Sequence, residues 1–317
     1  MTYRWILGIC QIFFLVYSVH VPKLYASRLD AYLVVRWEGN ALHELNLNTL
    51  DSVRKKFPDM AMIHLINPTY FQSNPLAASN LEMMQKHMSP QDEVGLLLVP
   101  SSNLIKAADV IPIKKPTYWS YSEELCTTDC GQQIPVNVYS RIDVAKIFWT
   151  AHTALKDAGF SNPTSFAVQG WISPAGLSDV AQGLGYTNDL TAIDAKLVRE
   201  QLQEYPLGEW LKSAPAPAST RSVAAWTQVG GMMEFNSDEE VVARYEQFYM
   251  KDHDPQAIFA LNISQENLFL GRLRLERAVD GLRAKAKLSG DELVFKTMSP
   301  AKTGRPIAKK GGISRKL

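Results

Sequence analysis

Three glutamates stand where a strand would give way to a loop, the junction at which α/β proteins place reactive groups. Glu38 ends a β-branched and aromatic run, Glu234 follows a later one and Glu266 the last. Two carboxylates facing each other can hydrolyse a glycosidic bond, with retention at separations of ~5–5.5 Å and inversion at ~6.5–9.5 Å. Glu38 with Glu234 or Glu266 is therefore a candidate catalytic pair, and the competing reading is three solvated loop acids. His43 and His64 are near Glu38 in the sequence and form a weak candidate metal set. No His-x-Glu or His-x-x-x-His spacing supports them, and His64, within Met62-Ile-His-Leu-Ile66, reads better as a buried, hydrogen-bonded core residue. His87, His152 and His253 sit in helix or loop contexts and read as surface residues. Amides and aromatics cluster at the same junctions: Asn40, Asn67, Tyr70, Gln169, Trp171, Asn262 and Gln265. Amide hydrogen bonds and ring faces suit sugars, so Glu38, Asn40, Asn67, Gln169, Trp171, Asn262, Gln265 and Glu266 form a candidate ligand set. For Tyr70 and Trp171 the alternative is packing. No Gly-x-Ser-x-Gly elbow, phosphate loop or dinucleotide fingerprint follows a strand, so no cofactor is expected.

These groups need a scaffold that gathers strand ends. Apolar and β-branched runs predict strands at 30–37, 60–66, 93–99, 165–169, 186–193, 223–233 and 257–261, with an edge at 292–296. Periodic apolar spacing predicts helices at 45–57, 80–87, 141–158, 173–183, 238–249 and 268–286. Asn48 or Thr49 is the expected cap of the first helix, and Ser237 that of the fifth. The run Glu93-Val-Gly-Leu-Leu-Leu-Val99 is nearly all apolar, as in parallel strands buried on both faces. Strand and helix alternate about seven times. The prediction is one α/β domain, an incomplete (β/α) barrel of about seven parallel strands, with its chemistry at the strands' C-terminal ends. Gly230-Gly231 reads as a bend or a close backbone approach, and 106–142 as a long excursion.

Length and composition set the class. The chain has 317 residues, 46% of them hydrophobic and 21% charged, which excludes a disordered chain. A net charge of +1 gives no field for nucleic acid. Arg4 precedes a mostly apolar run at 5–19, and Leu-Tyr-Ala26 resembles a cleavage site, the order of a secretory signal peptide over 1–26. Fifteen helical residues reach about 22 Å, short of a ~30 Å hydrocarbon core. The expectation is a secreted or periplasmic protein, with an N-terminal membrane anchor as the alternative. In an oxidising compartment Cys126 and Cys130, beside Gly131, can close a small disulfide loop. The end of the chain, 299–317, holds six bases and no acid. It reads as a disordered tail, either merely solubilising or in contact with an anionic membrane or polymer. The oligomeric state is not legible.

The order of pieces across 30–298 resembles the polysaccharide deacetylase (NodB-homology) family. The matching pieces are the strand ending at Trp37-Glu38, Asp92-Glu93-Val-Gly95, Asn162-Pro-Thr-Ser-Phe166, Gly183-Leu-Gly185-Tyr186 and Ala257-Ile-Phe-Ala-Leu261; the Cys126 to Gly131 excursion is similar to one in divergent members. The resemblance implies an incomplete barrel that removes N-acetyl groups from cell-wall sugars with a divalent metal. It also implies two carboxylates after the first strand, two His after the third, an Arg after the next Phe and a His after the last strand. This chain has Trp37-Glu38-Gly39, then Leu96-Leu97-Leu98-Val99, Ala167 and Asn262-Ile-Ser264 at those places. Aliphatic side chains cannot bind a hard cation. The resemblance thus implies a catalytically degenerate member that binds or regulates cell-envelope glycan. The alternative is an active hydrolase, either a deacetylase with relocated ligands or a glycosidase on the glutamates above.

Overall fold

The structure is a computed structural model that describes residues 27–39, 42–72, 75–124, 130–197, 202, 204–214, 219–220, 222–250 and 254–299. The expected leader at 1–26, the tail beyond Ser299, Asn40, Cys126 and His253 lie outside the described residues. So does one half of the expected Cys126–Cys130 pair. No described helix is long and apolar enough to cross a membrane.

Strand alternation builds the domain. In β1 (Arg28–Trp37), Ala31, Leu33, Val35 and Trp37 face one apolar cluster, while Tyr32 and Val34 face another. The second cluster also contains Ile63, Leu65, Leu97, Val99, Ala167, Leu190, Ile258 and Ala260, one small group from each strand around it. It is the interior of a barrel, and the first, larger cluster lies between the strands and the helices outside them. Both faces of each strand are therefore buried, as the apolar run at 93–99 predicted.

β1 pairs in parallel with β2 (Ile63–Ile66), β2 with β3 (Glu93–Leu98), β3 with β4 (Ser165–Val168) and β4 with β5 (Asn188–Asp189). Between these strands run α1 (Glu44–Lys56), α2 (Ala77–His87), the short α3 (Ser102–Ala107), α4 (Arg141–Asp157) and α5 (Leu177–Gly183). The next strand position is built from three pieces. β6 (Ala224–Ala225) pairs with β5, β7 (Thr227–Gln228) with β9 (Ala257–Ile258), and β8 (Gly231–Met232) with β10 (Ala260–Ser264). Because β10 lies beside β1, the single segment 224–232 joins the fifth strand to the last and the sheet curls back on itself. The result has seven strand positions, one fewer than a full eightfold barrel, as the sequence predicted. α6 (Pro206–Ser213), α7 (Asp238–Met250) and α8 (Leu268–Leu288) complete the helices, and β11 (Glu292–Phe295) adds to the start of β1.

Several local expectations change. Neither Asn48 nor Thr49 caps α1: the helix starts after His43, and the Thr49 hydroxyl donates back to the Leu45 carbonyl. Ser237 does cap α7, reciprocally with Glu240, as a capping box. The helix expected from 173 begins at Leu177, because Gly176 before it is left-handed. The strand expected at 186–193 shortens to β5, where Asp189 accepts from the Thr191 amide and turns the chain. α3 and α6 were not anticipated, being too short to show a periodic pattern.

The base of the barrel, at the strands' N-terminal ends, is closed by the far end of the domain. Glu93 accepts from the Ser299 amide at 3.0 Å and from the Ser165 hydroxyl, while the Ser27 carbonyl accepts from the Glu292 amide at 2.9 Å. The described chain thus starts and stops at one end of the barrel, opposite the end where chemistry is expected.

Gly230 explains why the sixth strand is broken. A Cβ there would lie 2.6 Å from the Ala260 carbonyl oxygen, so the two backbones touch. Gly230→Ala is expected to cost about 1–3 kcal/mol through overpacking at this seam, read as a lowered unfolding midpoint in calorimetry.

Candidate active site at the barrel mouth

Arg36 is the last inward residue of β1, in register with Leu65 and Ser264. Beneath it lie the aliphatic side chains of the barrel interior and the bonded amides of Asn262 and Gln228, and it is only 6% exposed. A guanidinium in that position needs partners, because an unpaired buried charge is strongly destabilising. Nη1 forms an ion pair with Glu38 Oε1 at 3.1 Å, and Nη2 donates to Glu234 Oε1 at 2.9 Å. The Trp171 ring centroid lies 5.5 Å from the guanidinium carbon, within cation–π range. Glu234 Oε1 is further fixed by the Ser264 amide at 2.5 Å. The third acid, Glu266, accepts from the Gly39 amide at 2.6 Å and the Tyr70 hydroxyl at 2.9 Å, tying the loop after β1 to the turn after β2.

The charges around this knot set its proton affinities. Burial pushes the Glu38 carboxyl up; Arg36 draws it down without cancelling that rise, and the nearby Glu234 and Glu266 add to it. Burial alone would weaken the Arg36 proton, but Glu38 and Glu234 hold it more tightly than usual. Tyr70 is raised by burial and by the facing Glu266, so its hydroxyl stays a donor.

The amides divide into structural and unpaired. Asn67 is fully used: Oδ1 accepts from the Thr69 amide at 3.1 Å and Nδ2 donates to the Glu38 carbonyl at 3.0 Å, so it is a turn cap beneath the site. Asn262 donates to Gln228 Oε1 at 3.0 Å, but its Oδ1 has no protein partner. Gln169 Oε1, Arg36 Nε, Glu234 Oε2, Glu266 Oε2 and both polar ends of the fully buried Gln265 are also unpartnered. Each such group costs roughly 1–3 kcal/mol unless water or a ligand meets it. Arg36, Glu38, Leu97, Gln169, Trp171 and Asn262 line a cavity with room for about one water molecule. Trp171 roofs it from a left-handed backbone (φ 61°), directly after Gly170 (φ 82°). The Tyr118 hydroxyl donates to the Gln169 carbonyl at 2.7 Å and brings the 106–142 excursion over the same rim. Trp119 and Tyr205 stand beyond it, 43% and 41% exposed, with their rings 5.6 Å apart.

The structure brings Glu38, Gln169, Trp171 and Asn262 around one cavity, with Glu234 and Glu266 beside it. It does not bring the histidines there. His64 points from β2 to the helix side, as expected of a core residue. The Trp37 indole can only donate, so His64 Nδ1 accepts from it at 3.1 Å, and Nε2 faces Asp92 at 3.1 Å. Burial alone would raise Asp92; its hydrogen bond to His64 and the adjacent Arg54 instead hold it well below the usual carboxylate range. His43 is exposed at the start of α1. His87, expected at the surface, is buried with Nδ1 2.8 Å from Asp51. His152, likewise expected there, is partly buried against the Tyr186 hydroxyl. The divalent cation implied by the sequence resemblance does not fit these residues. The mouth carboxylates already surround a guanidinium, imidazole donors lie elsewhere, and no described cluster of three His, Cys, Asp or Glu could hold a metal. Sequence reasoning missed Arg36. Its signal was a charge at an inward position of an otherwise apolar strand, two residues before Glu38.

No family model matches the chain, and no curated protein matches it. Similar solved structures include a family 4 carbohydrate esterase from Streptomyces lividans in complex with acetate, at 10% identity over 87% of this chain and 94% of that one, TM-score 0.42. A family 4 pseudoenzyme from Bacillus anthracis is similar at 10% identity over 85% and 64%, TM-score 0.37. The 4-alpha-glucanotransferase of Thermococcus litoralis is similar at 8% identity over 84% of this chain and 39% of that one, TM-score 0.45. These include the family that the sequence resembles. At such identities the likeness is one of architecture, and the chemistry of the mouth rests on this chain's own residues.

Two substitutions test the knot. Arg36→Met leaves the partly buried Glu38 and Glu234 without their shared cation, and is expected to cost about 3 kcal/mol near neutral pH. Because those carboxyls then hold protons more tightly folded than unfolded, the variant should regain stability as the pH falls toward the ordinary carboxylate range. Glu38→Gln should be more stable than wild type at neutral pH, since Glu38 is raised in the folded state and its ionised form is disfavoured there. That difference should close as both proteins reach low pH, as read by urea unfolding across pH.

Proposed function

We propose that this chain is an exported glycan-binding protein on a deacetylase-like barrel whose hydrolytic centre is retired. The observation that carries the reading is the Arg36 guanidinium, held by Glu38 and Glu234 under the Trp171 ring with unpaired amide oxygens of Gln169 and Asn262 beside it. The cation leaves no place for a second one. The ring and the amides remain as a surface for hydroxyl-rich, flat-faced ligands, and the water-sized cavity restricts a sugar to lying across the mouth rather than entering it. Cell-envelope glycan, or an active relative working on it, is the partner that the sequence resemblance implies.

A second reading draws on the raised proton affinity of Glu38. A carboxyl that holds its proton more tightly than usual and has a second carboxyl nearby can act as general acid in glycosidic cleavage, with Glu38 as acid and Glu234 or Glu266 as partner. Against it, Arg36 binds both Glu38 and Glu234.

The test is retention on insoluble peptidoglycan and chitin, with acetate and reducing-end release measured in the same samples. The binding reading expects retention without either product, weakened roughly tenfold by Trp171→Ala. Acetate release would overturn it, and reducing ends lost in Glu38→Gln would install the glycosidase. Export is tested by the intact mass of protein recovered from an envelope fraction. The expected species lacks residues 1–26 and is two hydrogens lighter than the reduced chain, for a Cys126–Cys130 disulfide.

A further inference from the structure

A cavity of about 470 Å³ opens on the outside of the barrel, between α2 and α4. It shares no residue with the cavity at the mouth. It exists because small side chains face each other there. Five of its wall residues are alanines, among them Ala78 on α2 and Ala154 on α4, where larger side chains would close the gap. Phe71 and Leu81 form its floor, packed on the outer apolar core, with the Phe71 ring 5.7 Å from that of Phe160. α4 also contributes Trp149, which is 58% exposed. A mostly apolar space of this size with a few polar groups is the usual form of a small-molecule site.

The polar side chains of the wall offer acceptors. The Thr150 hydroxyl donates to the Lys146 carbonyl and the Thr153 hydroxyl to the Trp149 carbonyl, each at 2.9 Å, so each has only lone pairs left for a ligand. Gln72 keeps a buried Oε1 with no partner, a cost that a donor on a ligand would remove. Asp157 is the one charged residue of the wall; it is exposed and makes no ion pair among the described residues. Lys106 and Lys156 are next to wall residues in the sequence but line no part of the cavity. The first turn of α2 and the last turn of α4 both meet this space, so their opposite dipole ends offset each other and Asp157 sets its sign.

We propose that this cavity binds a small aromatic amine in its protonated form. The aryl ring fills the alanine-lined space beside Trp149, and the ammonium on a short chain donates to Asp157 and to the acceptors around it. An ammonium has donors and no acceptor, which matches the wall, and the Trp149 face attracts both a ring and a cation. A neutral ring would leave Asp157 unpaired, and a carboxylate would face it with like charge. The proposal does not depend on what the mouth binds.

The experiment titrates the purified full chain near neutral pH with phenethylamine, phenethyl alcohol and phenylpropionate. It follows the indole N–H signal of Trp149 by NMR, assigned with Trp149→Phe. The amine should shift this signal saturably, leave that of Trp171 in place, and bind roughly fivefold or more tighter than the alcohol. Phenylpropionate should bind more weakly still. Asp157→Asn should bring the amine to the level of the alcohol. Ala154→Leu fills the cavity and should abolish the shift with the unfolding midpoint kept. Ala78→Leu, at an exposed position on α2, should do the same without touching α4. Equal binding of all three compounds would overturn the proposal, as would a preference for phenylpropionate. So would an amine that shifts Trp171 alone or neither signal, or binding that survives both leucine variants.

Discussion

A single buried cation organises the mouth of this barrel. Arg36 reaches the top of a largely apolar interior, where Glu38 and Glu234 meet both ends of the guanidinium and Trp171 covers its face. That arrangement fixes other features. Glu234 must come from just beyond the sixth strand position, so the segment 224–232 has to press against β10, and Gly230 permits the contact. Glu38 must stay at the rim, so Asn67 holds its carbonyl and Glu266 holds the next amide. The unpaired amide oxygens around the cavity are the part of the mouth that the knot leaves free.

The same cation bears on chemistry. Two carboxylates that share a guanidinium have their charge satisfied by the protein, and a divalent ion would have to displace a tethered partner. Histidines that could have supplied softer donors are committed to structure: His64 to Trp37 and Asp92, His87 to Asp51. What remains at the mouth is a ring face and unpaired amide oxygens, groups whose chemistry suits shape and hydrogen-bond recognition.

The barrel was legible because its signals are strong and redundant. Seven apolar runs alternate with amphipathic ones, and the continuous run at 93–99 demanded a strand covered on both faces. The Gly230-Gly231 contact was legible too, since few other reasons place paired glycines in a strand. The candidate ligand set was half legible. Glu38, Gln169, Trp171 and Asn262 do converge, because strand ends in a parallel barrel must. Asn67 turned out to be a cap, since sequence position does not tell an amide that faces solvent from one that faces its own backbone. Arg36 was missed because a charge inside a strand run looks like an exposed edge residue until pairing on both sides shows that β1 is central. The buried His87 escaped for a similar reason: its burial depends on Asp51, a partner on another helix.

The most direct measurement is the zinc content of the wild-type full chain after equilibrium dialysis against zinc, determined by elemental analysis. If Arg36 is the cation of this mouth, the protein should carry far less than one ion per chain. One firmly held ion per chain, released by Glu38→Gln, would contradict the account: the carboxylates would then be open to a metal and the guanidinium would be a bystander.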